Sequence, residues 1–475
     1  MTHPDPRPDP ARRRLLLAGA GAACLTACAT APSPSRDLAA MPPIVFVPGN
    51  GDTAALWTTT IWRFESNGWP RDRLHAIDMP YPLARDDDAV PQPGRTSTTD
   101  HRDFLAAEVA RVLARTGAAK VVLVGNSRGG NAIRNFIATP GPGGGRDLVS
   151  HAVLGGTPNH GVFVDRAGRL GSEFNGAGAF LVRLNGVNGP EGAETTPGVA
   201  FLTLRSDRFD KFAQPEGTWV GQPGVATGVT PEGPALRGAE NAVLPGVDHR
   251  ETSFSVPAFA ETFRFLTGRA PTTTDALPEP TVVLDGRLSG LGLDNRTGAF
   301  ANNLPLVGAT VTVYATDAAT GARIGGPRHT KTITADGLWG PLTTDPRTAH
   351  EFVVEPPAGL GYAITHVHRS PFPRGSNVVS LRAERVLEAD RDAAAVVTLT
   401  RPRGYFGIPR DAISLDGVSP PRGIPAGGVP GVSTAKTKLS DATERAVIGA
   451  FRDERVVGRV RPLAENRVVV LELTH

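Results

Sequence analysis

Cysteine is nearly absent from this chain of 475 residues: only Cys24 and Cys28 occur, both close to the first residue. Whatever folds after them contains no disulfide and must be held by its apolar core, which roughly 450 residues can supply. Lysine is almost as scarce, since Lys120, Lys211, Lys331, Lys436 and Lys438 are the only five among 50 basic residues. The formal net charge is +3, and no basic stripe runs along any segment, which argues against nucleic acid as a partner. Beyond residue 27 there is no run of about 18 apolar residues, so no spanning helix is expected in the body of the protein. Glycine and proline, by contrast, are abundant at 55 and 43. That punctuation excludes a coiled coil and predicts two or three loop-rich globular domains.

The opening segment reads as a processing signal rather than as structure. Basic residues precede a short Leu/Ala/Gly stretch and a small-residue site. Arg12-Arg13-Arg14-Leu15-Leu16 resembles a twin-arginine export (Tat) signal, and Leu25-Thr26-Ala27-Cys28 resembles a bacterial lipobox. Together they imply removal of residues 1–27, a lipidated Cys28 as the first mature residue, and a Pro/Ser tether over 28–40. The expected location is the cell envelope, on the outer membrane of a Gram-negative host because Ala29 and not aspartate follows the cysteine. Plain secretion is the alternative.

From residue 41 to 269, short apolar runs alternate with segments of helical period, as in βαβ units around a parallel sheet. Strands are expected at Ile44-Val45-Phe46-Val47, Lys120-Val121-Val122-Leu123-Val124, Ala152-Val153-Leu154, Phe201-Leu202-Thr203-Leu204 and Ala242-Val243-Leu244. Phe104, Leu105, Val109, Val112 and Leu113 fall on one face of a helix that Thr99 or Asp100 would cap, and a last helix runs from Pro257 to Gly268. Residues 270–280 read as a Pro/Thr linker. Thereafter strand-like alternation dominates: 281–385 is expected to form a β-sandwich module, and 386–475 a second β region whose relation to the first is left open.

The strongest chemical signal is Gly125-Asn126-Ser127-Arg128-Gly129, a G-x-S-x-G pattern that follows an apolar strand and opens a helix carrying Ala132, Ile133, Phe136 and Ile137 on one face. Such a strand–serine–helix turn needs small neighbours, because the sharp turn forces the serine into strained geometry that leaves its Oγ exposed. A serine hydroxyl needs a base. His249 is the only histidine between residues 161 and 269 and follows a strand, where the last member of a Ser–acid–His order belongs. The acid should follow the preceding strand. Asp210 fits the spacing, while Asp207 remains the alternative, with a short side chain suited to holding its own turn. Backbone N–H groups of Arg128 and of Asn50, in Pro48-Gly49-Asn50-Gly51, would bind the oxyanion. The excursion from residue 155 to 198 reads either as a cap over an acyl pocket or as a surface segment with its own small core. His160 suggests a loop organiser, and His366 and His368 share a strand face without further ligands, so no metal site is expected.

These motifs carry a resemblance. Residues 42–269, through Phe46-Val47-Pro48-Gly49-Asn50, Gly125-Asn126-Ser127-Arg128-Gly129, Gly156-Thr157-Pro158 and Asp248-His249, resemble the α/β-hydrolase superfamily, in particular bacterial class 2 lipases and related carboxylesterases. The trailing β region resembles that of archaeal secreted lipases with a C-terminal lipid-binding β domain, and residues 304–339 look loosely like a carboxypeptidase-regulatory-like sandwich. Family members usually carry His-Gly in the oxyanion loop and histidine before the serine; Pro48-Gly49 and Asn126 stand there instead, which bears on substrate preference more than on hydrolysis.

The combined expectation is an α/β parallel-sheet domain with a cap insertion and a β-rich C-terminal half, acting as a cofactor-free lipase or esterase through Ser127, His249 and Asp210. Its substrate would be a lipid ester or, alternatively, a polyester. A noncatalytic lipid- or surface-binding lipoprotein on the same scaffold is the rival. The change of texture near residue 270 also predicts that the two halves separate.

Overall fold

The computed structural model describes residues 38–220, 223–290 and 302–475; the expected signal, Cys28 and most of the tether lie outside them. Six parallel strands form the first sheet: β1 (Ile44–Val47), β2 (Leu74–Ala76), β3 (Val121–Asn126), β4 (Val149–Gly155), β5 (Ala200–Ser206) and β6 (Glu240–Leu244), in the order β2-β1-β3-β4-β5-β6. Their apolar residues alternate between two cores. Phe46, Val122, Val124, Leu202 and Leu204 point to one face, where Phe64 of α1 (Thr58–Ser66) meets Phe259 and Phe263 of the final helix, Val256–Thr267. Val45, Val47, Val121, Leu123 and Leu154 point to the other, against Leu105 and Val109 of α2 (Thr98–Thr116) and Ile133 and Phe136 of α3 (Arg128–Ala138). A parallel sheet covered by helices on both faces is the α/β arrangement expected for residues 41–269. The crossover direction reverses between β1 and β3, and such a reversal opens a crevice at the strands' C-terminal ends.

The N-cap of α2 differs from expectation. Ser97, not Thr99 or Asp100, is the cap: its Oγ accepts from Asp100 N at 3.0 Å, and Asp100 Oδ2 accepts from Ser97 N at 2.8 Å. In a Ser-Thr-Thr-Asp run several residues can cap, and the reciprocal pair satisfies two otherwise orphaned donors at once. The final helix begins at a Ser255 cap and ends at Gly268, whose φ of 77° terminates it.

The C-terminal half is β-rich, and its two stretches share one seven-stranded sheet. In that sheet the strand Arg467–Glu472 lies between Ile364–Arg369 and Ala395–Thr400, parallel to both. A three-stranded sheet of Ile413–Leu415, Ala446–Phe451 and Glu454–Arg459 covers it, with Val397, Leu399, Phe406, Val447 and Leu471 between.

The junction near residue 270 is not a free joint. Asn67, at the end of α1, accepts from Thr272 N at 2.7 Å and donates to Thr273 O at 2.8 Å. Trp62 of α1 lies in the core of the C-terminal half, donating from Nε1 to Gly375 O at 2.8 Å and meeting Phe372 edge-on. Residues 38–475 form one compact unit, and the change in residue texture near 270 marks a change of architecture within it.

Within the seven-stranded sheet, His368 is buried and neither ring nitrogen makes a hydrogen bond. Burial pushes its pKa down to about 4, against the opposing pull of Glu351. The unfolded chain takes up this proton near pH 6.5, whereas the folded chain resists until about pH 4. The associated stability is therefore complete above pH 6.5 and is lost as pH falls from 6.5 toward 4. His368→Gln should flatten the decline of urea stability over that window by one proton's worth, about 1.4 kcal/mol per pH unit, measured as unfolding free energy at pH 7, 5.5 and 4.5.

Candidate active site

Ser127 stands between β3 and α3 at φ 51° and ψ −123°, a conformation that few non-glycine residues adopt. Two neighbours make the turn possible. A Cβ at Gly129 would fall 2.5 Å from Val47 O, and one at Gly125 would fall 2.8 Å from Gly130 N. The turn is locked by Ser127 N donating to Gly155 O at 2.8 Å. Ser127 itself is half-buried at the crevice beside β1, and residues 48–51 lie against it: a Cβ at Gly49 would sit 3.1 Å from Ser127 Cβ.

His249 and Asp210 arrive from the loops after β6 and β5. His249 Nδ1 meets Asp210 Oδ2 at 2.7 Å, and Asp210 Oδ1 accepts from Phe212 N at 2.8 Å, so one carboxylate both orients the ring and is itself oriented. Phe212 packs edge-on against the imidazole at 4.5 Å. Asp207 faces elsewhere, accepting from Arg208 N at 2.6 Å in its own turn and from Gly246 N at 3.2 Å in the loop after β6. His249 Nε2 is buried and without a hydrogen bond, so the link from Ser127 Oγ is not formed. Serine–histidine contacts of this kind tighten once substrate arrives. The position before the serine, Asn126, holds the histidine loop: its Nδ2 donates to His249 O at 3.3 Å and to Ser253 Oγ at 2.7 Å.

Asn50 is exposed, and its Oδ1 accepts from Ala84 N at 2.8 Å, which sets the orientation of the loop whose N–H was expected to face the oxyanion. The second expected donor, Arg128 N, lies at the first position of α3, where backbone N–H groups have no intrahelical acceptor. Asp52, at the end of the same loop, pairs with Arg250 next to His249.

A cavity of about 500 Å³ adjoins His249 and Asp210, lined among others by Val162, Val164, Leu204, Phe212 and Leu236. Val162 and Val164 belong to the 155–198 excursion, so this segment walls the cavity. It also has an internal organisation, since Asn175 is fully buried and bonds to the backbone of Asp165, Gly168 and Arg169. His160 lines the same cavity and bonds Glu194 at 3.1 Å, organising the loop as expected. His366 is spent on Glu351 at 2.7 Å, and no cluster suited to a metal occurs among the described residues.

One feature of the site was not legible in the sequence. The Arg128 side chain is fully buried, and its guanidinium donates to Glu173 Oε1 at 2.5 Å, Pro82 O at 3.0 Å, Thr96 Oγ1 at 2.8 Å and Thr96 O at 2.8 Å. It thereby bolts the excursion to the 82–96 loop directly above the serine turn. Burial raises the Glu173 pKa, and Arg128 opposes that rise.

Residues 281–386 match the family described as the lipase C-terminal domain. No curated protein matches the chain. Among solved structures the chain is similar to the product of lin2722 from Listeria innocua (14% identity, TM-score 0.32, covering 49% of this chain and 97% of that one). It is similar also to phospholipase PlaB from Legionella pneumophila (15%, 0.31, 74% and 95%) and to carboxylesterase CesB from Bacillus subtilis (14%, 0.26, 48% and 85%).

Removing one partner of a buried ion pair strands the other charge, whereas removing both need not. Arg128→Leu should therefore cost about 3–5 kcal/mol of urea stability, and the double variant Arg128→Leu/Glu173→Leu should recover most of that loss. Equal destabilisation of single and double variants would deny the pair its role.

Proposed function

Starting from a chain of α/β-hydrolase fold whose residues 281–386 match a lipase C-terminal domain, we propose that it is a serine carboxylic ester hydrolase of lipase or esterase type. The observation that supports this reading most is the Asp210–His249 contact at 2.7 Å, beside a serine turn held at a positive φ. Ser127 Oγ attacks the ester carbonyl while His249 Nε2 takes its proton. Asp210 keeps the proton of the resting imidazole on Nδ1 and stabilises the imidazolium. The N–H groups of Asn50 and Arg128 bind the tetrahedral oxyanion. His249 then returns its proton to the departing alcohol, and water, activated by the same imidazole, releases the acid from Ser127. This sequence needs no cofactor. The cavity walled by Val162 and Val164 takes the acyl chain, and the β-rich half faces the lipid or envelope surface.

Ser127→Ala and His249→Ala should each lower hydrolysis of a soluble p-nitrophenyl ester by at least about 1,000-fold, because members of a triad act as a unit. Asp210→Asn should cost far more activity than Asp207→Asn. Robust turnover by Ser127→Ala protein would sink the assignment and favour a noncatalytic surface-binding role. A chain-length series run beside an emulsion and a polyester film identifies the preferred ester.

Export and anchoring belong to the same reading. The motif around Cys28 supports anchoring on the envelope, so palmitate labelling and membrane fractionation should both vanish in Cys28→Ser. A wild-type protein that stays soluble and unlabelled in a lipoprotein-competent host would contradict the anchor.

A further inference from the structure

Both members of the Asp210–His249 pair are flanked by residues gripped from the C-terminal half. Before His249 stands Asp248, wholly buried, whose Oδ2 accepts from Arg401 Nη1 at 2.8 Å and from Tyr405 N at 2.8 Å. Glu251, two residues beyond the histidine, accepts from Arg401 at 2.5 Å and from Arg410 at 2.6 Å. The same two guanidiniums each donate to Tyr405 O at 2.8 Å, which draws carboxylates and tyrosine backbone into one cluster. After His249 stands Arg250, whose guanidinium lies over the Tyr405 ring at 4.7 Å. After Asp210 stands Lys211, whose Nζ lies 4.0 Å from the centre of that ring and donates to Gly431 O at 2.9 Å.

One aromatic ring from the C-terminal half thus receives two cations, each adjacent in sequence to a member of the acid–base pair. An ammonium or guanidinium over an aromatic face is attracted by the ring's quadrupole, more strongly where water is excluded, and Tyr405 is buried. The backbone on both sides of His249, and on one side of Asp210, is in this way referenced to the segment 401–411. A catalytic base displaced by about 1 Å can lose about 100-fold in rate, so a support of this kind acts on turnover rather than on substrate affinity.

Resting on the reading of Ser127, His249 and Asp210 given above, we infer that Tyr405 and Arg401 are positioning residues for the acid–base pair, so that the C-terminal half completes the active site as well as extending the molecule. Both residues belong to the C-terminal half, and neither touches the reacting atoms.

The test uses the full chain and counts competent sites by stoichiometric fluorophosphonate titration, then measures kcat per titrated site and KM on a soluble p-nitrophenyl ester. Tyr405→Leu and Arg401→Met should lower kcat per titrated site at least about tenfold with KM within about threefold. Tyr405→Phe, which keeps the ring between its two cations, and Arg401→Lys should restore much of that loss. Should the stronger variants yield no folded protein, Lys211→Met gives the milder form of the same test, with a fall of about threefold expected and Lys211→Arg as its rescue. Unchanged kcat per titrated site in Tyr405→Leu, or in Lys211→Met where that variant alone folds, would overturn the inference and leave the segment a purely structural contact. Failure of the wild-type protein to titrate would be a different result, removing the serine hydrolase reading and the inference with it.

Discussion

Two buried carboxylates, Asp248 and Glu251, face two buried guanidiniums, Arg401 and Arg410, across the seam between the halves of this molecule. Each charge is removed from water at the seam and is compensated there by charges of the other half, so removing one partner leaves a buried charge unpaired. Burial alone would push Asp248 up, yet Arg401 and Arg410, with the backbone donors around it, hold its pKa below the ordinary carboxylate value. Asp248 therefore stays ionised across the neutral range. The cluster's place in the chain gives it a second consequence, because the loop it clamps is the loop that carries His249.

The candidate site is built from elements that gain precision from different sources. Ser127 owes its position to sterics: two glycines admit a turn that a side chain at either place would block, and the parallel sheet fixes where the turn falls. Asp210 owes its direction to a backbone donor and to His249 itself. His249 owes its direction to contacts on both flanks, with Asn126 and Thr252 bonded to its carbonyl, Asp248 tied to the C-terminal half, and Arg250 tied to Asp52 at the end of the 48–52 loop. The cavity wall depends on Arg128, which links the excursion to the 82–96 loop. Rigid support of this kind is what transition-state stabilisation by fixed dipoles requires.

What could be read from the sequence was local. The serine turn is legible because its glycines are demanded by neighbours a few residues away, and the alternation of strands and helices because its period is short. Asp210 against Asp207 could be argued from the length of turn after a strand. Side-chain partners distant in sequence were not legible: Arg128 and Glu173 are 45 positions apart, and Arg401 and Asp248 are 153 apart. A buried arginine looks like any other arginine until its acceptors are in place. The same limit applies to strand pairing. Arg467–Glu472 reads as a strand on its own, but nothing in its run of three valines says that it inserts between Ile364–Arg369 and Ala395–Thr400.

The most direct measurement of the account is a crystal structure of the full chain after reaction with an alkyl phosphonate, whose tetrahedral phosphorus mimics the intermediate of ester hydrolysis. The account predicts phosphorus bonded to Ser127 Oγ, the phosphoryl oxygen about 2.7–3.1 Å from the N–H groups of Asn50 and Arg128, and His249 Nε2 within hydrogen-bond reach while Nδ1 stays on Asp210. A phosphonate on any other residue, or a Ser127 adduct whose oxygen points away from both N–H groups, would contradict it.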